Sequence, residues 1–457
     1  MPTLFTRLRW SAYLARAIAG QARIPFAPPE AIAAAQRRRV RAMVAHAART
    51  VAFYREELRR VGLRTEDIRD ARDLARLPIV EREQLQLDGA RLESSAVRAR
   101  DRITLRTGGS TGAPRAVHHS TRAIVLNAAH GERERTIVTE ALGKRVGYRE
   151  TVIGSPRSTA QEVQAHLRAH TIQPRGVRVE RQYLSVLDPV ERSAERLAEF
   201  APDVVHGYGS YLAVLFAHLR AGGYGAPLPR VATFSSDALS DAARALIRDE
   251  LGVRVLGTYQ AVEAFKIGFE CGESDGLHVN VDLYPVRVVD AGGNDVPDGE
   301  PGDVVVSNLV NDATVLLNYR LGDVAALIPG PCPCGRTLPR LTQPLGRLDD
   351  WLCVGETRVH SQGVRTIFTT EAEILQYQVV QRAPWAFAVS VVTRGPVDEA
   401  AMGARVAAGF RARFGERVDV ELARVDDLPR TARGKVRAIV PFDERAPAGR
   451  ELARPLQ

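Results

Sequence analysis

Between residues 120 and 330, helical stretches such as 191–200 and 239–251 alternate with short apolar segments: Val204–His206, Arg230–Phe234 and Val253–Leu256. That alternation constrains the fold more than any other feature. Apolar strands of three to five residues cannot bury both faces by themselves, so they need helices between them, which predicts α/β layers around a partly parallel sheet. Before this region, residues 30–60 have a helical, arginine-rich pattern that stops at Gly62, and 101–106 reads as a strand. After it, Val286–Val289 and Asp303–Val306 flank a Gly/Asp/Pro turn and predict a hairpin. A new unit is expected from Gly346, with a strand at 389–392, a helix near 398–413 and a strand at 418–422. The expected organisation is a large α/β domain over 1–345 and a small α+β domain over 346–457.

Composition narrows the class. Of 457 residues, 45% are hydrophobic and 26% charged, which suits a soluble chain with sizeable cores. Four cysteines are too few for a disulfide scaffold and fit a reducing, cytoplasmic setting. The first 29 residues hold Arg7, Arg9, Arg16 and Arg23 and no acid, but their apolar run is too short and broken for a secretory signal. An amphipathic helix packed on the domain is expected there, with no membrane partner. The net charge of +9 suits polyanionic small molecules such as nucleotides. No dense basic block with interleaved aromatics is present, so no nucleic-acid partner is expected. Among 63 basic residues only Lys144, Lys266 and Lys435 are lysines, so each stands where arginine was the commoner choice. Lys144 and Lys266 are expected on the surface.

The strongest local signal is Thr107-Gly108-Gly109-Ser110-Thr111-Gly112, followed by Ala113-Pro114-Arg115. Its glycines allow close backbone approach, and consecutive N–H groups with three hydroxyls make an anion cradle. The same composition also suits an ordinary surface turn. Cys271, His278, Cys332 and Cys334 form another cluster. Three thiols and an imidazole are a legitimate tetrahedral zinc set, although the spacing is not that of paired Cys-x-x-Cys knuckles. Reduced, buried cysteines are the alternative. Cys353 reads as a small core residue.

The 107–112 loop resembles the phosphate loop of the adenylate-forming superfamily, which holds acyl-CoA synthetases, peptide-synthetase adenylation domains and luciferases. Four further segments follow in that superfamily's order. Thr258–Glu263 (Thr-Tyr-Gln-Ala-Val-Glu) resembles its adenine motif and Asn318–Asp323 (Asn-Tyr-Arg-Leu-Gly-Asp) its ribose motif. Gly346-Arg347-Leu348-Asp349-Asp350 resembles its hinge, and Pro429–Lys435 (Pro-Arg-Thr-Ala-Arg-Gly-Lys) its C-terminal lysine motif. Ala45-His46-Ala47, Phe53-Tyr54-Arg55, Leu77-Pro78, Val205–Leu212 and Ser235–Leu239 are similar to the branch with phenylacetate-CoA ligase and the deazaflavin-coenzyme adenylating synthetase.

The resemblance implies roles. Thr107–Gly112 would hold ATP phosphates, and Ser235, Ser236, Asp237, Tyr259, Gln260 and Asp323 would form the rest of the nucleotide site. Tyr259 would stack on adenine and Asp323 would accept from the ribose hydroxyls. Glu263 would help hold Mg²⁺, and Lys435 and Arg347 would stabilise charge during adenylation. Asp349 would be the hinge between two half-reactions; His206, Tyr208 and Phe265 would wall the acid pocket, unless His206 is simply a hydrogen-bonded structural residue. The branch also carries a structural zinc, which would sit in the 271–334 subsite. The implied activity is activation of a carboxylic acid, weighted to an aromatic one, as acyl-AMP, with transfer to coenzyme A or another nucleophile by a monomer or homodimer. Nucleotidyl transfer to a non-carboxylate acceptor, or a nucleotide binder without turnover, stay open. Four departures from the family pattern bear on this: Gln260 replaces glycine, Val262 replaces a hydroxyl residue, Ala113 stands where lysine is common, and Asn318 where arginine is common.

Overall fold

The computed structural model describes residues 2–106, 115–156, 158–172, 179–222, 225–273, 276–344, 346–347, 351–355, 357–360 and 362–442. The chain forms two compact units: residues 1–150, 156–182 and 256–345 make the first, and 151–155, 183–255 and 346–457 the second. One edge between units thus falls at Leu345/Gly346, while 183–255 groups with the C-terminal residues.

In the first unit, helices Pro29–Thr50 and Ala52–Arg60 bury Val40, Met43, Val44, Tyr54 and Leu58. Gly62 then takes φ +66°, a conformation that ends a helix at little cost only for glycine. The N-terminal helix Leu4–Ile18 turns Trp10, Tyr13 and Leu14 onto a cluster containing Leu105, Ile124, Val163 and Phe265, as the amphipathic pattern predicts. Arg102–Arg106 and Ala116–Ser120 pair antiparallel on either side of the glycine loop. The expected hairpin forms, with Val286 opposite Val306, and Tyr319–Ala325 adds to it as a third antiparallel strand. A second antiparallel series runs Leu327–Ile328, Arg340–Leu341, Leu277–Val279, Phe265–Phe269 and Arg254–Ala261.

In the second unit, Val204–Tyr208 and Val231–Ser235 pair in parallel. Their first residues are apolar and buried, as parallel strands covered on both faces require. Helices Val190–Phe200 and Gly209–Gly222 pack Leu197, Leu212, Leu215 and Phe216 into that core. Towards the C-terminus, a four-stranded sheet runs in the order Asp419–Arg424, Ala386–Thr393, Ile374–Ala383, Ile439–Val440. Helix Glu399–Phe414 is capped by Asp398, which accepts from the Ala401 N–H, and packs Met402, Val406 and Phe410 on the same core as Val379, Phe387 and Val389. Among the described residues no helix is long and apolar enough to cross a membrane.

Candidate active site

The segments singled out in the sequence fall into separate groups, two of them in the first unit. Tyr259 lies near the end of strand Arg254–Ala261, and its hydroxyl donates to Asp323 Oδ2 at 2.8 Å. Two residues expected at one nucleotide, 64 positions apart, therefore touch directly. The strand pairing shifts register between Tyr259 and Gln260. That irregularity leaves Gln260 exposed, with its side-chain amide donating to Thr258 Oγ1 at 3.0 Å.

Glu263 is buried, only 7% exposed. It accepts from the Tyr319 hydroxyl at 3.3 Å, while its carbonyl accepts from Asn308 Nδ2 at 2.8 Å. Burial, with the Glu263 charge adding to it, pushes the Tyr319 hydroxyl well above its ordinary pKa, against the pull of Arg115 and Arg82. Tyr319 thus stays a neutral donor to Glu263. Phe265, two residues on, is buried against Ile124 and Val125 and packs its ring against His119, centroids 4.3 Å apart and planes tilted by 36°. Its φ is +48°, an uncommon conformation for a bulky side chain. Backbone strain of this kind concentrates at functional turns. His119 itself is buried and bonded to the Val262 carbonyl at 2.8 Å. Burial holds its pKa down at about 3. Lys266 is not a free surface residue as expected: its side chain is 17% exposed and forms an ion pair with Glu134.

Asn318 sits at φ +53°, a region asparagine tolerates better than most residues. It donates to the Leu77 carbonyl at 2.8 Å and accepts from Arg287 at 2.9 Å, so it serves the packing of its own unit.

The second group is the cysteine cluster. His278 occupies the strand paired with both Phe269 and Arg340. Cys271 follows the first of those neighbours, and Cys332 and Cys334 lie in the turn before the second. That turn closes by the Gly335 N–H donating to the Cys332 carbonyl at 3.1 Å, with Gly335 at φ +78°. The four ligand atoms lie within 4.8 Å of one another. Cys271 Sγ and Cys332 Sγ are 3.7 Å apart, and Cys334 Sγ is 3.3 Å from His278 Nε2. Zinc–sulfur bonds of about 2.3 Å at tetrahedral angles place two sulfurs about 3.8 Å apart, so these separations fit a zinc ion. Burial, then the charges of Arg336 and Arg340, lowers the His278 pKa to about 4, leaving the neutral imidazole that a metal needs.

The third group belongs to the second unit. His206 Nδ1 bonds Thr233 Oγ1 at 2.9 Å, and Ser235 Oγ lies 3.4 Å from His206 Nε2. Both pairs bridge the two parallel strands, and Ser235 stands at the C-terminal end of its strand, the end at which ligands of α/β sheets bind. Burial raises the pKa of Tyr208, which bonds the Ser155 backbone. Ser236 has φ +77° and begins the turn that carries Asp237. Asp237 is occupied with the start of helix Gly209–Gly222. It accepts from the Ser210 N–H at 3.1 Å and from Ser210 Oγ at 2.6 Å. Gly209 makes this approach possible, because a Cβ there would lie 2.6 Å from the Ala238 backbone. Burial raises the Asp237 pKa, while Ser210 and then Lys435 and Arg430 act to lower it.

Thr107–Gly112 and Asp349 lie outside the described residues, and Arg347 is described only as backbone in strand Gly346–Arg347. Sequence reasoning missed two contacts: Tyr319 with Glu263, and Arg430 with Ser210 at 3.2 Å. Both tyrosine and arginine were inside quoted motifs, but nothing in the spacing named their partners.

Residues 354–441 match the family described as the CapK C-terminal domain. The chain is 27% identical over 414 residues to the phenylacetate-coenzyme A ligase of Thermus thermophilus, covering 86% of this chain and 85% of that one. It is also 27% identical over 350 residues to the phenylacetate-coenzyme A ligase of Escherichia coli, covering 72% and 74%. Among solved structures, 2-hydroxyisobutyryl-CoA ligase in the postadenylation state shares the fold with a TM-score of 0.73, 19% identity and 92% of each chain covered.

Proposed function

We propose that the chain is a member of the adenylate-forming superfamily, in its phenylacetate-CoA ligase-like branch, and that it activates a carboxylic acid with ATP and transfers the acyl group to coenzyme A. An acid carboxylate oxygen attacks the α-phosphorus, the bond from that phosphorus to the bridging oxygen breaks, and pyrophosphate leaves. The coenzyme A thiol then attacks the acyl carbon and AMP leaves with the electron pair of the broken acyl–oxygen bond. The acid is of the aromatic class, as the names of the relatives suggest.

The observation that carries this reading is the contact of Tyr259 with Asp323 beside the pairing of Tyr319 with Glu263 in one unit. Tyr259 offers an aromatic face for the base, held by its hydroxyl. Asp323 as a carboxylate has acceptor capacity for ribose hydroxyls beyond the one bond it makes to Tyr259. Glu263, a buried carboxylate, is the donor a hard cation requires and would hold Mg²⁺, which when bound neutralises phosphate charge. Lys435 supplies a compact positive charge where negative charge builds on the α-phosphate. The Cys271, His278, Cys332 and Cys334 set would hold a structural zinc that ties the strands around His278 together.

The test is product analysis with ATP, Mg²⁺, coenzyme A and a panel of aryl, fatty and hydroxy acids. The expected products are AMP, pyrophosphate and one acyl-CoA in equal amounts. Adenylated acceptor without thioester would replace this reading with nucleotidyl transfer, and ADP with phosphate would exclude both.

A further inference from the structure

The second unit contains both the lysine segment and a surface that receives it. Arg430, five residues before Lys435, has a side chain only 9% exposed. Its Nη1 donates to Ser210 Oγ at 3.2 Å, and its guanidinium lies 5.2 Å from the centre of the Tyr211 ring. Both receiving groups are themselves fixed. The Ser210 hydroxyl donates to buried Asp237 at 2.6 Å, which leaves its lone pairs for the arginine. The Ser210 carbonyl accepts from Gln376 Nε2. The Tyr211 hydroxyl donates to the Asp188 carbonyl at 3.1 Å and accepts from Ser193 at 2.7 Å.

On the loop side, the same guanidinium reaches both ends of the lysine turn. Nη1 donates to the Gly434 carbonyl at 3.3 Å and Nη2 to Asp427 Oδ1 at 3.1 Å. The turn closes through the Thr431 N–H to the Lys435 carbonyl at 2.9 Å and the Gly434 N–H to the Thr431 carbonyl at 2.7 Å. Gly434 has φ +79° and lies so close to Val186 that a Cβ would collide with it. A planar cation that donates to an anchor and to its own loop at once fixes an orientation that a flexible ammonium cannot.

We propose that Arg430 is a positioning residue for Lys435: by fastening the 427–436 turn to Ser210 and Tyr211, it sets the lysine for adenylate formation and sets how readily that turn is released for thioester formation. The inference rests on the adenylate-forming reading for its catalytic consequence, and on the contacts alone for the latch. Misplacement of a reacting group by about 1 Å costs on the order of 100-fold in rate. In the two half-reactions that the adenylate-forming reading implies, thioester formation from preformed acyl-adenylate would not need Lys435 in that place.

The experiment compares wild type with Arg430→Ala, Arg430→Lys and Ser210→Ala in two half-reactions. These are ATP–pyrophosphate exchange and coenzyme A acylation from synthetic acyl-adenylate. Arg430→Ala is expected to lose at least about ten-fold in exchange kcat with little change in KM for ATP, and to keep acylation within about two-fold. Arg430→Lys recovers part of the loss, and Ser210→Ala, which deletes the hydroxyl anchor together with its bond to Asp237, shows the same split. Equal loss in both half-reactions, or no loss in either, overturns the proposal. Hydrogen exchange of peptide 427–436 decides the latch without any turnover: faster exchange in Arg430→Ala supports it and unchanged exchange overturns it. A wild type inactive with every acid would count against the proposed function, and the peptide measurement would still judge the latch.

Discussion

Tyr259 meets Asp323 through one hydrogen bond of 2.8 Å. A phenylalanine at 259 keeps the ring and removes that bond, whereas an alanine at 323 removes the carboxylate itself. A half-buried bond of this kind is worth about 1 kcal/mol, and one to a charged group about 1.5–3 kcal/mol. Tyr259→Phe should therefore raise KM for ATP several-fold, and Asp323→Ala should raise it more, measured in pyrophosphate exchange at saturating acid. Unchanged KM in both variants would remove these residues from the nucleotide site. The motif residues were legible because their chemistry demands particular side chains. The departures at 260 and 318 were legible only as departures. Gln260 is turned outward by the register shift, and Asn318 holds a left-handed conformation against Leu77. Neither local geometry follows from residue type.

Strands and turns do what single residues cannot. His278 is brought to the cysteines because its strand lies between those of Phe269 and Arg340, a pairing that joins residues about 60 positions apart. The Cys-Pro-Cys-Gly turn could be read from its composition; the meeting with Cys271 depends on sheet register and could only be guessed at. Purified protein is expected to hold about one zinc per chain, since four donors complete a structural site. Cys332→Ser should lower that content and the thermal midpoint together, and a strong chelator should lower the midpoint of wild type but not of the variant. Metal content near zero in native protein, with no chelator effect, would instead make these buried reduced thiols. The Arg430 contact was hidden for the same reason: Ser210 lies 220 residues away, and only the fold of the second unit brings the two together.

At the scale of the whole molecule, the α/β layering, the 286–306 hairpin and the helix Glu399–Phe414 were all readable from periodicity, because burial of apolar faces dictates them. The grouping of 183–255 with the C-terminal residues was not, since chain order carries no information about which cores merge. Folding also buries histidines in neutral form. Burial holds His119 and His130 at about 3, against about 6.5 when unfolded. Below about pH 6.5 the unfolded chain takes up protons that the folded chain refuses, so stability is full above that pH and is lost as pH falls towards 3. The unfolding free energy from urea titrations should therefore drop between about pH 7 and pH 4.5, by an amount on the order of a few kcal/mol. His119→Gln, which keeps a donor for the Val262 carbonyl, should show a smaller drop; an equal drop would place the acid sensitivity elsewhere.

The central claim is that this chain forms acyl-adenylates with Lys435 at the reacting phosphate. ATP–pyrophosphate exchange across a panel of aryl, fatty and amino acids, run beside Lys435→Ala, addresses it directly. The account predicts exchange that depends on one class of acid and on Mg²⁺, reduced at least about 100-fold in the variant, in line with loss of an oxyanion-stabilising group. Measurable ATP binding without exchange for any acid, or exchange undiminished in Lys435→Ala, would contradict it.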